Sequence, residues 1–271
     1  MKLLKPQLKT LISFFLIENM KFIILGCGSS MGVPRTDGFF GNCNPKNKRN
    51  YRTRCSAILK SKFSNILIDS SPDIRNQLLS NNIKNIDKVL YTHMHADQTH
   101  GINDLRVFYL KNQKKIAIYA DTKTKKYLLK SFSYCFKGTK SYPATLKFFE
   151  LKKKLNFKDK INIQAIPVKH GLINSISYII NNKLAYLPDV NEIYKKDFKF
   201  FINLKYMIID CLRYKHHPSH FNLTEVLQIY EILKPEKMFL TNLHSDLDYK
   251  ELLRKLPKKV KPAYDGLTLN L

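Results

Sequence analysis

Apolar residues gather along the chain in short runs of roughly four to eight, bounded by Gly, Pro, Asn, Asp and Ser, a spacing that marks strands. The runs are "KFIILG", "CSAILKS", "NILID", "KVLYTH", "KIAIYA", "LKFFEL", "INIQAIPV", "SISYII", "KLAYLP", "YMIIDCL", "KMFLTN" and "LTLNL". Helical periodicity falls between them, over residues 72–81, 98–110, 122–132, 191–200, 222–233 and 248–256. In "NLTE", Asn222 and Glu225 have the form of a reciprocal helix cap. "SISYIINNKLAYLPD" reads as a hairpin turning at Asn181-Asn182. Strands follow one another without helices early and late in the chain, while helices separate others. That order predicts two sheets sandwiched between helices rather than a doubly wound parallel sheet.

The length of 271 residues suits one α/β domain, expected over 20–271. Residues 1–19 are expected to be an upstream extension, with Met20 the functional start. Their apolar run "LISFFLI" mimics a signal peptide but lacks a small-residue cleavage site and is too short to span a bilayer. Lys and Arg number 47 against 21 Asp and Glu, a net charge of +26. Such an excess would attract nucleic acid if it formed one stripe. It is spread along the chain instead, as in "LKKKLNFKDKINI", so a solvated, compositionally biased surface is favoured and nucleic acid is left as the less favoured partner. Five cysteines (27, 43, 55, 135 and 211) without a CxxC pair indicate neither a disulfide framework nor a zinc ribbon. A cytoplasmic location without a membrane partner is expected. The glycine-rich "GCGSSMG" fits neither GxGxxG nor the P-loop pattern.

Chemistry concentrates where the strand-like runs end. Asp69, His93, His95, His170, Asp189, Asp210 and His244 all fall there, where a rigid scaffold presents side chains to a site. His93, His95 and Asp97, each two apart in "THMHADQTHG", can be aimed at one point by an extended or tightly turning segment. Neutral imidazole suits zinc, manganese or iron, and a carboxylate adds charge and can bridge two ions.

HxHxD followed in order by His170, Asp189 and His244, with Asp69 ahead, resembles the metallo-β-lactamase superfamily over residues 21–271. The resemblance implies an αββα sandwich of two mixed sheets flanked by helices, with one or two divalent metal ions at the rim. Carried over residue by residue, it implies His93, His95 and His170 on the first ion and Asp189 bridging. Asp97, residue 98 and His244 would lie on the second, with Asp69 steadying the HxHxD loop from behind. The family pattern continues HxHxDH, whereas position 98 here is Gln, a harder and weaker ligand than imidazole. Three arrangements stay open: a dinuclear site with Gln98 as ligand, a site working mainly with one metal, and rescue by His100, which a helix start would turn away.

"LGCGSSMGVPR", "ILIDSSPDIRNQLL", "TNLHSDLDYKELLRKL" and "YDGL" resemble the PhnP-like cyclic-phosphate phosphodiesterases, relatives of tRNase Z. This implies attack of a metal-bound hydroxide, with zinc or manganese, on a small phosphodiester such as a ribose 1,2-cyclic phosphate. His220 matches the branch's non-ligand histidine and would serve, with Asp97, as catalytic residue. His216 and His217 are expected in a solvated loop. Some PhnP-like proteins hold a structural zinc through cysteines near the first loop; only Cys43 and Cys55 lie there, and both are expected to be buried or incidental. Arg54, Arg75 and Arg106 are candidates for phosphate contact or for surface ion pairs. A homodimer is possible for this fold. The competing readings are an RNA-processing endonuclease like tRNase Z and a non-catalytic binding protein with a degraded metal site.

Overall fold

The computed structural model describes residues 20–271, and the N-terminal extension, with its signal-like run, lies outside them. Two seven-stranded sheets face each other. The first runs β14 (Leu267–Asn270), β1 (Lys21–Gly26), β2 (Ser56–Lys60), β3 (Asn65–Ile68), β4 (Lys88–Leu90), β5 (Ile116–Ala120) and β6 (Leu146–Glu150). The second runs β13 (Val260–Pro262), β12 (Lys237–Thr241), β11 (Tyr206–Asp210), β10 (Leu184–Leu187), β9 (Ile173–Ile180), β8 (Ile161–His170) and β7 (Lys154–Phe157). Each sheet is mixed. Pairing is antiparallel from β14 to β3 and from β7 to β10, and parallel from β3 to β6 and from β10 to β13. This is the predicted αββα sandwich.

Alternate residues of one strand enter different cores, which explains the nearly unbroken apolar runs. Phe22 and Ile24 of β1 point between the sheets, towards Tyr178, Tyr186 and Ile208. Ile23 and Leu25 point outward, under α1 (Ile74–Ser80), α3 (Arg106–Asn112) and α4 (Thr122–Ser131), which bury Ile74, Phe108 and Leu128. On the far face, α6 (Leu223–Leu233) and α7 (Tyr249–Lys255) cover the second sheet with Val226, Leu233 and Leu252. Two cross-sheet hydrogen bonds clasp the layers next to the HxHxD segment: Ile176 N–H donates to Thr92 O at 2.9 Å and Tyr178 Oη–H to Tyr91 O at 2.7 Å.

The cap at Asn222 is reciprocal as expected, with Glu225 N–H on Asn222 Oδ1 and Asn222 N–H on the Glu225 carboxylate. The hairpin turns at Asn181 and Asn182, both left-handed at φ 50° and 52°. The helix expected over 98–110 begins earlier, as α2 (Ala96–Thr99), and breaks near Gly101. A Cβ at Gly101 would stand 2.0 Å from Ser71 O, so the chain turns there against the loop after β3. The expected helix over 191–200 shrinks to a 3-10 turn over Lys195–Phe200, because Asn191 and Glu192 bridge to Lys169 of β8 instead. Strands β7 and β13 and the short α5 (Ser133–Lys137) were not expected; β7 lies in the lysine-rich stretch whose charges masked its alternation. Among the described residues no helix is long and apolar enough to cross a membrane.

Candidate metal and catalytic site

The site is assembled from strand ends of both sheets. On the first, Asp69 follows β3 with φ 60° and is fully buried. Its carboxylate accepts the Thr92 N–H at 2.8 Å and the Thr92 hydroxyl at 2.9 Å. The Thr92 hydroxyl in turn lies 3.0 Å from His93 Nδ1, so Asp69 orients the His93 ring through Thr92. Burial pushes the Asp69 carboxyl well above the usual range, against the opposing pull of the Thr92 bonds. His95 keeps extended backbone (φ −61°, ψ 152°) at the mouth of α2, and that sharp entry turns Asp97 into the helix's first turn and buries Gln98 behind it.

Three imidazoles converge. His93 Nε2 stands 2.9 Å from His95 Nδ1, and His170 Nε2, from the last residue of β8, stands 3.3 Å from the same atom. His170 Nδ1 is 2.7 Å from Ser219 O, a bond in which the ring must donate, so Nε2 carries the lone pair that faces the other two rings. Burial holds His93 well below the usual histidine range and His170 at about 3, with neighbouring imidazoles adding to both shifts. The three rings present nitrogens to one point, the donor set that a divalent cation takes.

A second cluster adjoins the first. His170, Asp189 and His220 offer ligand atoms within 4.8 Å of one another. Asp189, buried after β10, accepts from Gln98 Nε2 at 3.0 Å and from Asn242 Nδ2 at 3.2 Å. Burial raises its carboxyl, and the nearby Asp97 charge raises it further. Gln98 Nε2 also reaches Asp97 at 3.3 Å, while Gln98 Oε1 is buried with no hydrogen-bond partner among the described residues. The two carboxylates fit a second cation, and the Gln98 amide, whose nitrogen faces them while its oxygen is orphaned, would have to turn over to ligate it. His244 borders the same cavity, with Nδ1 accepting the Asp246 N–H at 3.3 Å.

His220 Nδ1 donates to Asp210 at 2.6 Å, and its ring centre lies 4.7 Å from that of His170. Burial works against charge on this ring, but the Asp210 carboxylate and its hydrogen bond outweigh it, and the ring is pushed up to about 9. Asp210, held also by the Val190 N–H at 3.0 Å, is raised by burial to about 6.

A cavity of about 280 Å³ opens over these groups. His95, Asp97, His170, Asp189, His220 and His244 border it, whereas His93, Gln98 and Asp69 stand behind. His100 is turned away, 2.7 Å from Tyr127 Oη, so it offers no replacement ligand at position 98. Arg54 pairs with Asp73 at 3.0 Å, Arg106 stacks over Tyr142 and Arg75 is exposed on α1; none borders the cavity. Cys43 and Cys55 are buried free thiols. His216 is exposed and pairs with Glu225, but His217, expected in solvent, borders the cavity.

Three residues at the site had no assigned role in the sequence. Asp210 anchors His220, and its position at a strand end ten residues before that histidine was the available signal. Asn242, beside Asp189, and Arg213, the sole Lys or Arg bordering the cavity among the described residues, sit on loops whose path a linear pattern does not give.

This fold and this donor set define a class. Residues 64–242 match the beta-lactamase superfamily domain, and the chain belongs to the metallo-β-lactamase superfamily. Within it the chain is PhnP-like. It superimposes on a diphosphatase from the PhnP family with a TM-score of 0.86 and 30% identity, covering 93% of this chain and 98% of that one. The zinc-bound PqqB from Methylobacterium extorquens shares the fold at a TM-score of 0.74 and 17% identity, covering 93% of this chain and 100% of that one. The short form of human tRNase Z shares it at 0.65 and 16%, covering 92% and 98%. A curated relative from Porphyromonas gingivalis (strain ATCC BAA-308 / W83), described as an octanoyltransferase, is 32% identical over 254 residues. That match takes in 92% of this chain and 51% of the relative, so the chain spans about half the length of that protein. The chain has the metallo-β-lactamase fold.

Proposed function

We propose that the protein hydrolyses a small phosphodiester, with a cyclic phosphate such as a ribose 1,2-cyclic phosphate as the favoured substrate, in the cytoplasm. The carrying observation is the His220–Asp210 pair set against the three-imidazole cluster: a proton donor beside a cation site. His93, His95 and His170 would hold one divalent ion, zinc or manganese. Asp189 would lie between it and a second, held also by Asp97, His244 and the Gln98 carbonyl. Bound there, the ions supply positive charge to the phosphoryl oxygens and make water nucleophilic at neutral pH.

The chain's own groups do the rest. Water that has lost a proton to solvent adds to phosphorus, the bond to the leaving oxygen breaks, and His220 Nε2 gives its proton to that oxygen. Asp210 keeps the ring oriented and offsets its charge before the transfer. Arg213, which borders the cavity, meets a phosphoryl oxygen. The small cavity favours a compact diester over an RNA chain. The diphosphatase relative makes a phosphate anhydride the natural second substrate to assay.

The test is hydrolysis of bis(p-nitrophenyl) phosphate and of a ribose cyclic phosphate by protein loaded with zinc or manganese. Turnover that His93→Ala abolishes supports the reading. No turnover with either ion overturns it and leaves a binding protein.

A further inference from the structure

Arg52 is the largest side chain among those almost completely withdrawn from solvent, at 2% exposure, and no carboxylate forms an ion pair with it among the described residues. A buried guanidinium cannot escape its charge by deprotonating, and it is costly unless its donors are well used. Nη1 and Nη2 go to oxygens of the loop that carries His244 and to Asn50, while Nε is buried with no hydrogen-bond partner among the described residues. Nη1 donates to His244 O at 3.3 Å, and Nη2 to Leu247 O at 2.7 Å and to Asn50 Oδ1 at 3.1 Å. Asn50 extends the grip: its Nδ2 donates to Asp248 at 2.6 Å and its Oδ1 accepts the Tyr249 N–H at 2.8 Å. The other end of the His244 peptide is also fixed, because His244 N–H donates to Leu212 O at 2.9 Å. Arg52 itself is immobilised by two backbone bonds with Val33, at 2.8 and 2.9 Å.

We propose that Arg52 is a positioning residue for His244: its planar fork holds the His244–Leu247 turn and so sets where the His244 ring stands at the site. Lysine could supply the charge but not three donors in fixed directions, so arginine is required for the geometry and not for the charge alone. The consequence for the second cation rests on the ligand set given above; the consequence for the His244 ring does not.

The experiment compares wild type with Arg52→Met and Arg52→Lys in metal-free full-length protein, reading the imidazole ¹⁵N resonances. In both variants the His244 signals are expected to shift and broaden, while those of His93 and His170 keep their positions. Zinc is then titrated in, and the second equivalent is expected to bind about tenfold or more weakly in Arg52→Met, the first being little affected. A His244 signal unchanged in Arg52→Lys, which preserves the buried charge and is the safer folder, overturns the proposal. So does a uniform shift of all the site histidines, the mark of general loosening. Wild type that takes up a single equivalent would sink the two-ion reading alone, because the resonances still report on Arg52.

Discussion

Gln98 Nε2 lies 3.0 Å from Asp189 Oδ2 and 3.3 Å from Asp97 Oδ2, so a neutral amide spans two carboxylates at the position where the superfamily pattern continues with histidine. The amide nitrogen relieves the repulsion between Asp97 and Asp189, and only its oxygen is left for a cation. Gln98→His is therefore expected to raise the affinity of the second ion without changing the first. Elemental analysis after gel filtration at limiting zinc reads this directly. Equal second-ion content in the two proteins would place residue 98 outside that site.

On the proposed mechanism His220 gives up a proton in the transition state, so His220→Ala should lower kcat by roughly 10²–10⁴ while KM and metal content change little. Its carboxylate partner gives this role a pH signature. The ring is pushed up to about 9, so activity that needs its proton is full below that pH and falls as pH rises through it. In Asp210→Asn the alkaline limb should move to lower pH, and a limb that stays in place would argue that another group donates.

On the proposed mechanism Arg213→Met removes a charge-assisted hydrogen bond to substrate, worth about 1.5–3 kcal/mol, and so should raise KM on the order of tenfold to a hundredfold. Steady-state kinetics on bis(p-nitrophenyl) phosphate test it. A loss confined to kcat would move Arg213 from ground-state binding to the reaction step.

Thr92→Val should loosen the HxHxD loop. The substitution removes the hydroxyl that joins Asp69 to His93, leaving one buried Asp69 oxygen without its donor at a cost of about 1–3 kcal/mol. Denaturation of the metal-free protein measures that cost. First-ion affinity should also fall by roughly 10–100-fold, as for other groups that orient a metal ligand.

Asp265 ties the C-terminal segment to the first loop, accepting from Cys27 N at 3.0 Å and from Thr53 N and Oγ1 at 2.7 Å. Burial raises its carboxyl to about 6. Because the folded protein holds this proton more tightly than the unfolded chain, the group's contribution to stability grows as pH falls. Relative to Asp265→Asn, wild type should gain about 1 kcal/mol between pH 7 and pH 5. Urea titrations of both proteins at the two pH values give the difference, and a gain in the opposite direction would mean the carboxylate is stabilised where it lies.

The sandwich was legible because both faces of each sheet are buried, which leaves apolar runs that punctuation residues delimit well. The site was legible for the same reason: His93, His170, Asp189 and Asp210 sit where such runs stop, so their order along the chain maps onto one rim. What the sequence hid were relations across the chain. Nothing local shows that Gln98 spans Asp97 and Asp189, that Asn242 reaches Asp189, or that Arg213 borders the cavity. The 3-10 turn at Lys195–Phe200 was misread because helical periodicity does not reveal that Asn191 and Glu192 are drawn into a bridge with Lys169. Strand β7 was lost in a lysine-rich stretch for a related reason, since edge strands carry charges where central strands carry apolar groups.

The clasp formed by Tyr178 on Tyr91 and by Ile176 on Thr92 makes the rim a seam between two halves of the fold, one built on each sheet. Asp69, His93, His95 and Asp97 belong to the first half; His170, Asp189, His220 and His244 belong to the second. Neither half carries all of the candidate ligands, so the site is complete only after the two layers have docked in register. A cation across the seam would act as a rivet, fastening the layers to each other as well as serving the chemistry.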